Sequence, residues 1–308
     1  MIKMNWEQYR KHKQKIKYSV GGGDAAILMG YGWTPIFTRF LEKLGDIEKP
    51  EGTEAMEIGL EIEETIDKIF QKRTGIETRK PADIWVSEEY PYIVGAVDRV
   101  SDKHVIEYKN TSEYMKDKWD DGYPMSAYYQ LQLYLWLDGN NRTGYIAGLI
   151  GGNKFTVSDE IQPDESAQAD IIIKAQEFYQ NLLDRNYEAI EITDKDSDAI
   201  KQKYDKQVED DILFPKEELL EKERVMAEQI SELKKERKKV KNKIRWVMMD
   251  FSNAHTDNYK LSNKIQTSNR FDSKKFKKEQ PDLYKKYLKE NKYKVLRVKK
   301  IKDKLDKK

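Results

Sequence analysis

The order in which the apolar pattern changes period between residues 54 and 185 constrains the fold more than any other feature of this chain. Residues 54–74 (EAMEIGLEIEETIDKIFQKRT) place Met56, Leu60, Ile62, Ile66, Ile69 and Phe70 at helical spacing, and Gly75 follows as a stop signal. The runs 83–88 and 91–100 are rich in Ile, Val, Trp and Tyr, and a third run, His104 to Lys109, follows the short polar turn Ser101-Asp102-Lys103. Three consecutive strands are expected, the last two as a hairpin. A helix over 125–137, strands over 143–150 and 154–157, and a helix over 164–185 come next. Helix, three strands, helix, strand is an α/β order, and such an order buries a central mixed sheet between helices.

Beyond residue 190 the composition shifts towards Lys, Asp and Glu. The chain therefore divides into a core over 1–190, a polar connection over 191–215 and an extension over 216–308. In the extension Leu219, Met226, Leu233, Val240 and Val247 recur every seven residues, with Ile230, Ile244 and Phe251 on the adjacent row. That is one long helix with one apolar stripe. Glu223 and Arg237 interrupt the second row, which favours packing of the stripe against its own domain over a coiled coil between copies. Alternating patterns over 258–268 and 292–298 flank a helix over 273–290 broken by Pro281, an arrangement expected to give a small α+β unit. Charge divides the same way. Residues 211–308 carry 30 Lys+Arg against 16 Asp+Glu, which leaves 27 against 39 for residues 1–210, so the net +2 hides a polycationic tail. Such a tail either lies on polyphosphate or is a lysine-rich solvated helix, and composition leaves both open.

Absent cysteine excludes disulfides and thiolate metal sites, and the three scattered histidines, His12, His104 and His255, argue against a multi-histidine centre. Any metal must be held by oxygen, which favours magnesium, with manganese able to substitute. No apolar run approaches the roughly 18 residues of a membrane span, and the N-terminus lacks a signal-like segment, so a soluble cytoplasmic protein with no membrane partner is expected.

Side chains two apart on a strand share a face, so Glu107 and Lys109 of HVIEYKN point one way while Ile106 and Tyr108 point the other. If 92–100 pairs with 103–109 through the Ser-Asp-Lys turn, Asp98 reaches the face of Glu107. The two carboxylates and the Tyr108 carbonyl could then hold a divalent cation, with Lys109 orienting or deprotonating a water and offsetting charge on a phosphate. The competing reading makes Asp98 and Glu107 ordinary strand residues and Lys109 a cross-strand ion-pair partner. Against it, VGAVD and HVIEY set these charges inside apolar strands, where an unpaired charge is costly.

GAVDRV followed by IEYK resembles the PD-(D/E)xK nuclease signature, and other runs resemble the YqaJ-type viral recombinase family, the lambda exonuclease-like group. SVGGGDAAILMG with Trp33-Thr34-Pro35, AMEIGLEIEE, YYQLQLYLWL, TGYIAGLIGGNKF and RFDSKKFKKEQPDLYKKY all match in order, over roughly residues 16–300. The resemblance implies a restriction-endonuclease-like core with a basic α+β extension. It makes Asp98, Glu107 and the Tyr108 carbonyl metal ligands and Lys109 the catalytic lysine. Glu63 matches the helical acid that contacts a metal directly or through water, with Glu61 and Glu64 as neighbours that a one-residue slip would substitute. Gln130 matches a glutamine expected near the substrate phosphate. The same resemblance implies a magnesium-dependent deoxyribonuclease acting on double-stranded DNA from 5′ to 3′, a single-strand annealing protein as partner, and a ring-shaped homo-oligomer.

Departures from the pattern fall in the pocket for a terminal 5′-phosphate. An arginine and two serines are replaced by Ile16, Gly23 and Ala96, so that only Gln130 remains of it; Lys15 or Lys17 could supply the missing cation, as a point charge rather than a fork. A nicking or restriction-like endonuclease, or a catalytically silent DNA-binding protein, is therefore an alternative expectation.

Overall fold

From the N-terminus, β1 (Ile2–Met4), β2 (Ile84–Val86) and β3 (Val94–Gly95) form one antiparallel sheet. A second, mixed sheet has the order β4 (Arg99–Val100), β5 (His104–Thr111), β6 (Thr143–Ile150) and β7 (Lys154–Val157), with β5 and β6 parallel and the outer pairs antiparallel. These features come from a computed structural model that describes residues 1–139, 142–206, 214–291 and 293–298. The helix α5 (Met125–Asp138) carries the chain from β5 back to the start of β6, as a parallel pair requires. The remaining helices of this part are α1 (Trp6–Ile16), α2 (Gly22–Leu28), α3 (Ile36–Leu44), α4 (Glu54–Thr74), α6 (Glu165–Asp184) and α7 (Ser197–Lys203).

Local signals set the helix ends. Thr53 caps α4 by accepting the Met56 N–H, and Gly75 closes it in the left-handed region at φ 73°, where a side chain would be strained. Asp164 caps α6 through the Ala167 N–H. The period-2 pattern of β5 then splits the core into two layers. Ile106 and Tyr108 pack with Ile66 and Phe70 of α4 and with Ala147, Leu149 and Phe155. Val105, Ile146 and Ile150 face the larger cluster that includes Phe40, Leu131, Ile171 and Phe178 from the other helices. The expected mixed sheet between helical layers is what forms.

Several expectations need correcting. The run 91–100 is not one strand: β3 pairs with β2 and β4 with β5, so the chain changes sheets between Gly95 and Arg99. Only the C-terminal half of the α4 stripe is used, since Met56, Ile58 and Leu60 are exposed while Ile66 and Phe70 are buried. The boundary read near residue 190 lies further on, for the chain divides into Met1–Val208 and Glu209–Lys308. Segment 191–204 belongs to the first unit because polar groups fasten it there. Asp196, fully buried, accepts from the Thr38 N–H at 3.0 Å and hydroxyl at 2.6 Å, and Asp46 takes Lys203, Arg185 (2.6 Å) and the Tyr187 hydroxyl (2.6 Å). Part of the expected connection, 207–213, lies outside the described residues.

In the second unit the long helix α8 (Glu217–Met248) forms as expected, followed by a hairpin of β8 (Asn253–His255) and β9 (Lys260–Ser262), then α9 (Ser273–Glu279) and α10 (Pro281–Tyr287). Pro281 breaks the helix where the sequence placed the break, at the first position of α10. Residues 263–268 and 293–298 form no strand; Lys292 and residues 299–308 lie outside the described residues. The stripe of α8 was expected to pack against its own unit, but among the described residues Leu219, Met226, Ile230, Leu233, Val240, Ile244 and Val247 are all exposed. No helix among the described residues is long and apolar enough to cross a membrane.

Candidate active site

The β4–β5 register, Arg99 opposite Ile106 and Val100 opposite Val105, continues to bring Asp98 level with Glu107. Because β4 stops at Arg99, the Tyr108 N–H meets no strand and donates instead to Asp98 Oδ2 at 2.8 Å. Glu107 is 1% exposed; its Oε1 accepts from Lys109 Nζ, while its Oε2 is buried with no hydrogen-bond partner. Lys109 Nζ also donates to Gln130 Oε1 at 3.0 Å, and Gln130 Nε2 donates to the Tyr134 hydroxyl at 2.9 Å. The glycine run reaches this row from α2. A Cβ on Gly22 would lie 2.5 Å from the Tyr134 oxygen and 2.6 Å from Gln130 Cγ, so only glycine lets α2 pack so close.

Burial and crowding of like charge dominate the electrostatics. Burial, then the Asp98 charge beside it, push the Glu107 carboxyl up to about 8 against the pull of Lys109. Asp98 is raised too, first by burial, although the Tyr108 N–H and Lys109 oppose the shift. Burial works to lower Lys109, but the Glu107 carboxylate and then Asp98 outweigh it and hold the ammonium above its ordinary value.

Glu63 stands at the rim of this group. It approaches from the other face of the sheet, past the short edge strand, and its Oε2 lies 3.4 Å from Lys80 and 3.9 Å from Arg99. Those two cations hold it, and among the described residues no three Asp, Glu or His side chains come close enough to cage an ion by themselves. Glu61 and Glu64 do not replace it; Glu64 is exposed and pairs with Arg99 at 3.6 Å.

Sequence reasoning missed the network behind the site. Arg99, 3% exposed, donates to the Asp98 carbonyl at 2.8 Å and pairs with Asp67 at 3.2 Å, and Asp67 accepts from the Tyr108 hydroxyl at 2.7 Å and from Thr78. These bonds tie α4 to β5. Two signals were available: Asp67 follows Glu63 by four, on one helix face, and Arg99 is a charge inside an apolar strand. Tyr134, buried one turn after Gln130, went unread because an aromatic at helical spacing looks like core.

The residues present fit a divalent cation. An orphaned, buried carboxylate oxygen on Glu107 is costly unless a positive group meets it, and Asp98 crowds it further. The N–H and C=O of one strand residue point to the same edge, so the Tyr108 carbonyl faces Asp98 as its N–H does. Two carboxylates and a carbonyl are hard oxygen donors, suited to magnesium or manganese.

Lys15 and Lys17 are not brought into this group. Both are exposed, and Lys17 lies 5.1 Å from the centre of the Tyr18 ring. The departures from the phosphate pocket are real in space: Ile16 is buried with its carbonyl accepting from Tyr179, whereas Gly23 and Ala96 are exposed and offer no side-chain donor. Asp24 of the glycine run is a structural acid, fastened to Arg39 at 2.7 Å and Lys43 at 3.0 Å.

The profile described as "YqaJ-like viral recombinase domain" matches residues 5–145. Among solved structures, the chain is similar to the alkaline exonuclease LHK-Exo from Laribacter hongkongensis (TM-score 0.48, 16% identity, 58% of this chain and 95% of that one). It is also similar to a phage-related exonuclease from Haemophilus somnus 129PT (TM-score 0.43, 16% identity, 55% and 96%). "Uncharacterized protein YqaJ" of Bacillus subtilis (strain 168) is 33% identical over 293 residues, covering 92% of this chain and 91% of that protein. With a relative this similar along nearly its whole length, the chain belongs to the YqaJ-like viral recombinase family.

Proposed function

We propose that this protein is a metal-dependent deoxyribonuclease that hydrolyses phosphodiester bonds of double-stranded DNA, acting as a 5′-to-3′ exonuclease in phage-type recombination. One observation carries the reading: Asp98, Glu107 and Lys109 converge at a sheet edge with one buried carboxylate oxygen left over. Magnesium bound there, or manganese in its place, would supply Lewis acidity towards the phosphate and lower the pKa of the attacking water. Asp98, Glu107 and the Tyr108 carbonyl would hold it, and Glu63, paired with Lys80 and Arg99 at the rim, would act on it through water. Lys109 orients or deprotonates the water and offsets charge on the phosphate. Gln130, held by Tyr134, aims the Lys109 side chain. A single-strand annealing protein and a ring-shaped homo-oligomer around the duplex belong to the same reading.

Nicking by an endonuclease is the second reading, favoured by Ile16, Gly23 and Ala96 in place of phosphate-gripping side chains. End-labelled linear duplex and a closed circle, digested with magnesium, separate the two. Cleavage of the linear form alone is expected, with 3′ single strands as product. Asp98→Ala, Glu107→Ala and Lys109→Ala should each lower turnover by at least about a hundredfold while the protein still folds and binds DNA. Near-normal cleavage by any of these variants sinks the assignment of that residue. Preference for a 5′-phosphate over a 5′-hydroxyl end should be weak, and a strong preference that Lys15→Ala with Lys17→Ala leaves untouched would refute this account of the pocket.

A further inference from the structure

Among the described residues nothing covers the stripe of α8. Leu233 is 68% exposed, Val240 54% and Val247 75%, and no residue of the helix joins a buried apolar cluster among the described residues. A helix draws most of its stability from burying an amphipathic face, and a long exposed apolar strip marks an interface. At 1.5 Å per residue the 32 residues of α8 extend about 48 Å.

The flanking charges identify what covers the strip. Residues 217–232 carry six acids against two bases, and residues 233–248 carry eight bases against one acid. Two copies of α8 side by side in the same direction set like charge against like along their whole length. Run in opposite directions, the acidic half of each lies along the basic half of the other. The residues that interrupt the second apolar row obey the same rule. Glu223 and Arg237 stand seven positions on either side of Ile230, so an antiparallel pair centred near Ile230 brings each Glu223 beside the Arg237 of the second copy. An apolar cleft of about 470 Å³, lined by Ile244, Val247, Met248, Phe251, Ala254 and Leu261, opens at the C-terminal end of α8. In that register an antiparallel partner sets its Leu219 and Leu220 across from Lys241 and Val240, just before the cleft begins.

We propose that α8 pairs antiparallel with α8 of a second copy, joining two chains through their C-terminal extensions. The inference is independent of the nuclease reading. It also reverses the choice made from sequence, where Glu223 and Arg237 counted against a coiled coil: between antiparallel copies they are partners.

The chain has no cysteine, so single introduced cysteines report position without background. Full-length Glu223→Cys and Arg237→Cys, alone and mixed, are treated with a short bismaleimide. Cross-linked dimer is expected in the mixture and several-fold less in either variant alone. Links from 223 to 223 and 237 to 237 without mixed links would show a parallel pair and overturn the proposal. No link at all, with dimers absent in light scattering, would also overturn it. Charge exchange gives a second readout. Glu223→Arg should weaken pairing by on the order of tenfold, and adding Arg237→Glu should restore it; failure of the double variant to recover refutes the contact. Leu233→Asp with Val240→Asp should abolish pairing and leave DNA turnover per chain unchanged on a short duplex.

Discussion

At the scale of single residues, the acid pair works against the stability of the metal-free protein. Glu107 carries a folded-state pKa of about 8, above its ordinary value, so the protonated form favours folding. Without metal, the stability this gives is complete below about pH 4.5 and is lost as pH rises through 8. Glu107→Gln should therefore abolish cleavage and, in denaturant titrations of the metal-free protein, remove this pH dependence, so that wild type loses stability relative to the variant between pH 5 and 8. A difference between variant and wild type that stays constant across that range would mean the carboxyl is not raised. Asp24 is the opposite case. Burial works to raise it, but Lys43 and Arg39 outweigh that and hold it below the ordinary carboxylate range. Its contribution is present above about pH 4 and is lost as pH falls through the depressed folded value. Asp24→Asn should cost about 3 kcal/mol at pH 7, and thermal melts of variant and wild type should converge in acid.

Among the elements, α4 through α6 were legible because their signals are local: a threonine cap, a left-handed glycine, an aspartate cap and clean changes of period. The placing of Glu107 and Lys109 on one face was legible for the same reason, since two-residue spacing on a strand decides which side chains share a face. The short helices before residue 50 were not, because their hold on the fold is tertiary. α2 has seven residues and depends on Asp24 reaching Arg39 and Lys43 of α3. Arg99 escaped notice because a guanidinium gathering Asp67, Glu63 and the Asp98 carbonyl shows no sequence period. Its position implies that α4 and the hairpin are held in register by a fork. Arg99→Lys, which keeps the charge but loses the planar set of donors, should destabilise by ~1–3 kcal/mol and raise the magnesium concentration needed for half-maximal cleavage several-fold. An unchanged metal requirement in a folded variant would confine Arg99 to holding the structure together.

On the scale of the whole molecule, charge is partitioned by unit. A chain ending at Val208 loses most of the positive excess and should bind duplex DNA more weakly, with a shallower dependence of log affinity on log salt. Equal affinity and slope in a soluble truncated protein would show that the extension does not lie on DNA. The first unit also fastens its end to its beginning: Asp196 holds Thr38, and Lys203 holds Asp46, partners more than 150 residues apart. During synthesis, the N-terminal helices therefore wait for residue 203 to leave the ribosome before their last buried polar groups are met. By then the acid pair, Lys109 and Gln130 have long been made but lie in an unfinished scaffold. The last ties between the two ends of the first unit therefore close only as α8 itself is being translated.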